Sequence, residues 1–189
     1  FINMGVTYAV RSKSTYENKD VFIFGGGDSA LDWCVELAEK AKSLSLVHRR
    51  DAFRGAQHTE EQMRELVASG KVKLLTPYLI DGIEGSDKVT GVSLKNFDTN
   101  EIEHYEADEL LFLFGLNKKL GPILEWNIDL NGKKISVNTE NFQTSVEGIF
   151  AVGDINDYPG KLDLILSGFH ETTLAVQEAY KRLYPGERV

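Results

Sequence analysis

Apolar runs of strand length alternate with stretches that read as helices through the first part of the chain: VFIF (21–24), a helix over 28–41, LSLVH (44–48), a helix over 57–69, then VKLLT (72–76). Continuous apolar runs, without in-and-out alternation, suit strands buried on both faces of a parallel sheet, so the pattern predicts a βαβαβ unit. In the first helical stretch Ala30, Leu31, Val35, Leu37 and Ala38 recur at near-helical spacing, leaving Glu36, Glu39, Lys40 and Lys42 for water. From 78 to 107 the texture changes to YLIDGIEG, KVTGVSLKNF and EIEHYEA, separated by GSD and DTN turn signals, which predicts an antiparallel meander. ELLFLFG (109–115) reads as one further buried parallel strand. Beyond it come the polar turns of WNIDLNGKK, a predicted strand VEGIFAVGD (146–154), and a helix from about Lys161 to Tyr184 stopped by Pro185-Gly186. The expected class is α/β, a Rossmann-like parallel sheet with an antiparallel meander over residues 1–115 and a second segment over 116–189.

Composition narrows the function without naming it. With 42% hydrophobic and 26% charged residues the chain is ordinary for a globular protein. A formal net charge of -8 argues against a general binder of nucleic acid or of anionic membrane, so any bound phosphate must meet a local basic cluster. Cys34 is the only cysteine, which excludes an internal disulfide, a CxxC pair and a cysteine-based metal site, and suits the reducing cytoplasm. No apolar run approaches the roughly 18 residues of a membrane span, and FINMGVTYAV lacks the form of a signal peptide. The chain opens at Phe1 without an initiator methionine, as expected of a fragment or a processed product.

The candidate chemistry begins at GGGDSA. Gly25, Gly27 and Ala30 fit the G-x-G-x-x-G/A fingerprint between a strand and a helix, with Gly26, Asp28 and Ser29 completing the turn. The first glycine allows the tight turn, the second admits backbone to a pyrophosphate, and Ala30 lets helix and strand pack closely. A glycine-rich turn without a ligand is the alternative reading. The next strand end decides between nucleotides. An NAD site wants Asp or Glu there, whereas HRRDAFR brings Arg49, Arg50 and Arg54 around the place of a 2′-phosphate, so NADP(H) is expected. Asp51 is expected to orient those arginines; His48 either stacks beside the adenosine or caps the strand. Cys34 reads as a buried, inert thiol. Asp32, Glu36, His58, Glu60 and Glu61 read as solvated helix faces, Tyr180 and Tyr184 as packing residues, and no side chain is assigned a catalytic role.

GGGDSALDWC, HRRDAFR and GIFAVGDI together resemble the thioredoxin-reductase-like flavoproteins, in which an NADPH domain is inserted between two halves of an FAD domain. The resemblance departs at GVTYAVRSK, where Ala9 and Ser12 stand in place of the redox cysteines, so there is no dithiol to exchange. The chain is therefore most similar to the ferredoxin or flavodoxin NADP reductases of that group, as YPGKLDLILSGFHE also is. The resemblance implies an NADPH-dependent FAD oxidoreductase that exchanges hydride with flavin N5 and then passes single electrons to ferredoxin or flavodoxin, usually as a homodimer. It implies that Gly153 and Asp154 approach the FAD, with the helix opening near Lys161 turned toward flavin O2. It also implies that the N-terminal half of the FAD domain is missing, that residues 116–189 expose apolar surface, and that the fragment alone is inactive. A relative without thiols that uses another acceptor, and a non-catalytic NADP-binding module, are the alternatives.

Overall fold

The computed structural model describes residues 1–115 and 119–187. The chain divides into two compact units, Phe1–Leu116 and Asn117–Val189. In the first, the apolar runs become a parallel sheet: β1 (Val6–Thr7), β2 (Asp20–Phe24), β3 (Ser43–Val47), β4 (Lys73–Leu75) and, after the meander β5 (Tyr78–Gly85), β6 (Val89–Asn96) and β7 (Ile102–Glu106), a last strand β8 (Glu109–Phe112). The sheet order is β1-β8-β2-β3-β4. Phe24 pairs with Val47 on one side and with Phe112 on the other.

Both faces of this sheet are covered, which is why β2 and β8 are almost wholly apolar and why Ser45 of β3 is buried as well. Val21, Ile23, Leu44, Leu46 and Leu111 face α1 (Asp28–Leu37) and α2 (Gln57–Ala68), packing with Ala30, Leu31, Cys34, Leu37 and Met63. Phe22, Phe24, Val47, Leu110 and Phe112 pack on the opposite side with Val89, Val92 and Leu94 of the meander. Each fully buried side chain of this size contributes roughly 1.5–3 kcal/mol. The α/β fold with its parallel sheet and meander is thus the one expected. Helix α1 is shorter than its periodicity implied, ending at Leu37 rather than 41. The amides of Lys42 and Ser43 both donate to Lys19 O, which turns the chain into β3 and ends the helix early.

The sheet grows from β2 through β3 to β4, and β8 then joins the other edge of β2. The gap between β2 and β8 is therefore a topological switch point, and ligands of such sheets lie outside the carboxyl ends of the strands there.

In the second unit β10 (Lys134–Ser136) pairs antiparallel with β9 (Leu130–Asn131) and parallel with β11 (Asn156–Asp157). Leu120, Ile128, Ile135 and Ala151 form its core. The expected strand over 146–154 is absent: a single bridge joins Gln143 to Phe150, and Gly148 and Gly153 take positive φ of +79° and +77°, which bends the segment out of any ladder. Helix α3 runs Ile165–Leu183, starting later than Lys161 because Leu164 is extended. The rings of Tyr180 and Tyr184 lie 4.9 Å apart and pack on one another. Around the start of α3, Leu162, Ile165, Leu166 and Phe169 are all exposed. No helix among the described residues is long and apolar enough to cross a membrane.

Candidate functional site

The three glycines after β2 meet three different constraints. At Gly25, with φ at +153°, a Cβ would run into the carbonyl oxygen of Leu113 and come within 2.9 Å of Ala30 Cβ, so backbone, strand and helix close on each other with no room for a side chain. At Gly26 a Cβ would come within 2.5 Å of His48 Cε1, so the imidazole lies directly on the turn. At Gly27 nothing lies within 4 Å of an added Cβ, and its φ of -103° is open to any residue. Packing explains two of the glycines and not the third. Gly27 is the N-cap of α1 and offers no side-chain cap, so the helix presents its positive end and first amides to that open space. A Cβ at Gly27 would point into this open space, at a helix end whose free amides favour an anion.

The segment after β3 is tied to the same turn. The Arg54 amide donates to Gly26 O at 2.7 Å, and the Ala56 amide, at the N-cap of α2, donates to Asp28 Oδ1 at 2.8 Å. Asp28 thus holds the start of α2 against the start of α1, while Ser29 is exposed in the first turn of α1. The His48 ring stacks on Phe53 at 5.4 Å between centroids. Burial, and then the charges of Arg49, Arg50 and Arg54, push its pKa below the ordinary 6.5, so His48 is neutral at pH 7. Arg49, Arg50 and Arg54 are exposed, and among the described residues no carboxylate pairs with any of them. Asp51 does not orient them, contrary to expectation: it accepts from Arg64 on α2 at 2.9 Å, and Arg64 also binds Glu60. The rim of the turn therefore carries three uncompensated guanidinium groups within an acidic chain.

The helix carboxylates behave as solvated faces. Glu36 pairs with Lys13, and Glu61 accepts from Gln57 at 2.8 Å. Burial pushes the Cys34 thiol up to about 12, so it stays protonated and unreactive.

Gly153 and Asp154 lie in the second unit and form a separate arrangement. The Gly153 amide donates to Glu171 Oε2 at 2.6 Å, and Asn156 Nδ2 donates to the same oxygen at 2.9 Å. Tyr158 Oη donates to Glu171 Oε1 at 2.9 Å, and Lys161 closes an ion pair with it. Glu171 is completely buried on α3. Its burial alone would raise the pKa, but Lys161, the Gly153 amide, Tyr158 and Asn156 together hold the carboxyl below the usual range. A Cβ on Gly168 would lie 3.5 Å from Gly153 Cα, so the helix approaches the loop closely as well. Beyond Gly153 itself the space is open, and Asp154 is exposed beside it. Sequence reasoning missed Glu171 because an acidic residue on an amphipathic helix reads as solvated; its place one turn before buried Ala175 was the available signal.

A Rossmann-type turn opening into free space, a basic rim on the following strand, and a glycine loop anchored to a later helix place the chain among the α/β folds with a dinucleotide-type turn. The family described as pyridine nucleotide-disulphide oxidoreductase matches residues 3–179, and the chain belongs to that family. It is similar to a protein named ferredoxin--NADP reductase from Pelagibacter ubique, 45% identical over 187 residues that make up 99% of this chain and 55% of that one. A protein of the same name from Nitrobacter winogradskyi is 48% identical, over 99% of this chain and 54% of its own length. The chain spans about half the length of these curated relatives. Among solved structures, thioredoxin reductase from Lactococcus lactis in its FR conformation superposes with a TM-score of 0.79 at 26% identity, over 95% of this chain and 58% of the other. Thioredoxin reductase from T. acidophilum, at 21% identity and a TM-score of 0.80 over 96% of this chain and 59% of that one, shares the fold. The resemblance carried by GGGDSALDWC, HRRDAFR and GIFAVGDI is thereby upheld.

Proposed function

We propose that the first unit binds NADP(H), and that the second contributes the C-terminal part of an FAD site in a ferredoxin or flavodoxin NADP reductase. One observation carries the nucleotide assignment: the open cradle at Gly27 sits next to Arg49, Arg50 and Arg54, none of them paired with a carboxylate among the described residues. The diphosphate lies over the start of α1, held by the turn Gly25–Ala30. The guanidinium forks take the 2′-phosphate, for which their geometry and permanent charge are suited. Neutral His48 flanks the adenosine side with its ring fixed between Gly26 and Phe53.

In the second unit Gly153 lets the chain approach the flavin nucleotide, and Asp154 accepts from a ribityl hydroxyl. Glu171 keeps that loop in shape through the Gly153 amide. When bound, the flavin supplies an N5 that takes hydride and passes the electrons on singly. The protein's part is to bind and orient, and no side chain acts as acid or base. Ala9 and Ser12 at the places of a redox dithiol favour a protein acceptor, ferredoxin or flavodoxin, over thiol exchange. This reading gives the chain only the C-terminal part of an FAD site, and the chain spans about half the length of the curated relatives.

Calorimetric titration of this chain with NADPH and NADH tests the assignment. The expected result is a preference for NADPH of at least about tenfold, lost when Arg49→Ala and Arg50→Ala are combined, with NADH affinity unchanged. Equal affinity for the two nucleotides, or equal losses in the double variant, overturns it.

A further inference from the structure

Four aromatic rings cluster at the carboxyl edge of the parallel sheet, on the side of the glycine turn away from the arginines. Phe24 ends β2 and stacks on Phe112, which ends β8, at 4.7 Å between centroids. Phe114 meets Phe112 at 5.5 Å and Phe24 at 6.5 Å, and Tyr8, just past β1, meets Phe112 at 5.9 Å. The inner pair is buried, but Tyr8 is 60% and Phe114 70% exposed. Neighbouring large aromatic rings left in water at the mouth of a sheet are the usual mark of a binding surface.

The topology says which end of a ligand reaches them. Gly25 follows β2 and backs directly on Leu113, so the cradle at Gly27 and the Phe112–Phe114 segment belong to one crevice at the switch point. From that cradle a dinucleotide must run in two directions along the strand ends. Arg49, Arg50 and Arg54 follow β3 and claim the 2′-phosphate end. The other end therefore passes over β8 and β1, which lie about 4.8 and 9.6 Å from β2 at ordinary strand spacing. We propose that Tyr8, Phe112 and Phe114 form an aromatic shelf that takes the nicotinamide ring of NADP(H). The inference rests on the nucleotide reading above and deepens it. A planar heteroaromatic ring gains from offset stacking on such a shelf, and in its oxidised, cationic form also from the electron-rich ring faces. Phe112 is locked by Phe24 and thus presents Phe114 and Tyr8 at fixed positions; these two are the positioning residues for the redox end of the nucleotide.

The test separates the two ends of the ligand. Adenosine 2′,5′-bisphosphate carries the adenosine and the 2′-phosphate but no nicotinamide. Dissociation constants for it and for NADPH are measured calorimetrically on this chain and on variants carrying Tyr8→Leu with Phe114→Leu. The expected outcome is tighter binding of NADPH than of the bisphosphate by the wild type, and about a tenfold loss (about 1.4 kcal/mol) for NADPH alone in the double variant. Tyr8→Phe retains NADPH affinity, because the ring and not the hydroxyl forms the shelf. Unchanged bisphosphate affinity in the double variant also reports an intact fold. Equal wild-type affinity for the two ligands, NADPH affinity untouched by the double variant, or a parallel loss for both ligands overturns the shelf and leaves the arginine assignment standing. Failure of the wild type to bind either ligand overturns both.

Discussion

Gly26 and Gly27 are adjacent and chemically identical, yet the fold asks different things of them. A methyl at Gly26 enters the His48 ring, which stacks on Phe53 and has little room to yield. Overpacking of this kind costs about 1–3 kcal/mol. Gly26→Ala is therefore expected to lower the thermal midpoint, and His48→Ala in the same chain to restore part of the loss, because the ring that is struck has gone. A methyl at Gly27 strikes no protein atom. Gly27→Ala is expected to leave the midpoint within a few degrees, while NADPH affinity falls by at least tenfold on the order of a lost charge-assisted contact. Thermal unfolding and nucleotide titration of the single variants check both halves, and a Gly27→Ala chain that still binds NADPH normally removes the diphosphate from that cradle. The string GGG announces a turn and a fingerprint, but it does not distinguish these duties. They depend on His48 and Leu113, which the chain brings back from far along the sequence. For the same reason Asp51 was misread: its partner Arg64 sits on the next helix, invisible from the HRRDAFR string.

At the scale of elements, strands buried on both faces were the legible ones. β2 and β8 announce themselves because four or five apolar residues in succession, 21–24 and 110–114, have no other good use, while β3 shows only Leu44, Leu46 and Val47 between serines. The segment 146–154 is equally apolar and is not a strand, since its glycines bend it and its apolar residues face a small core from a loop. β1, β9 and β11 are two residues long, too short to leave any periodicity. What fixes the 151–161 loop is α3, through Glu171 and Lys161. Glu171→Gln leaves the Lys161 ammonium buried without a carboxylate, and breaking a buried pair in this way costs about 3–5 kcal/mol. The pH dependence has a definite sign. The folded carboxyl titrates below its ordinary 4.5, so the unfolded chain takes up the proton first on acidification. The contribution is therefore complete above about pH 4.5 and is lost as pH falls through the folded value. Denaturant unfolding followed by Trp126 emission in a Trp33→Phe background is expected to show the Glu171→Gln loss at pH 7, and a flatter acid limb for that variant than for the parent. A variant as stable as the parent at pH 7 removes Glu171 as the anchor of the loop.

For the whole molecule, the net charge of -8 and the basic rim at Arg49, Arg50 and Arg54 are two statements about one surface: a predominantly acidic chain keeps three guanidinium groups with no carboxylate partner among the described residues, as the proposed 2′-phosphate site requires. Family membership was readable because three short motifs carry it, each at a turn where backbone geometry restricts the choice of residue. Glu171 and the aromatic shelf were not, because they arise from tertiary neighbours rather than from spacing. The glycine turn and the arginines belong to the unit Phe1–Leu116, and the Gly153 loop to the unit Asn117–Val189. A ligand that binds only the native form stabilises it by about 2.7 kcal/mol at a hundredfold excess over its dissociation constant. That gain reaches only amides whose opening disrupts the site, so hydrogen exchange locates it. With saturating NADPH, slowed exchange is expected across 21–31, 44–56 and 109–115 and not across 119–187. Equal slowing in the second unit would mean that NADPH stabilises both together, and the confinement of its site to the first unit would then be wrong.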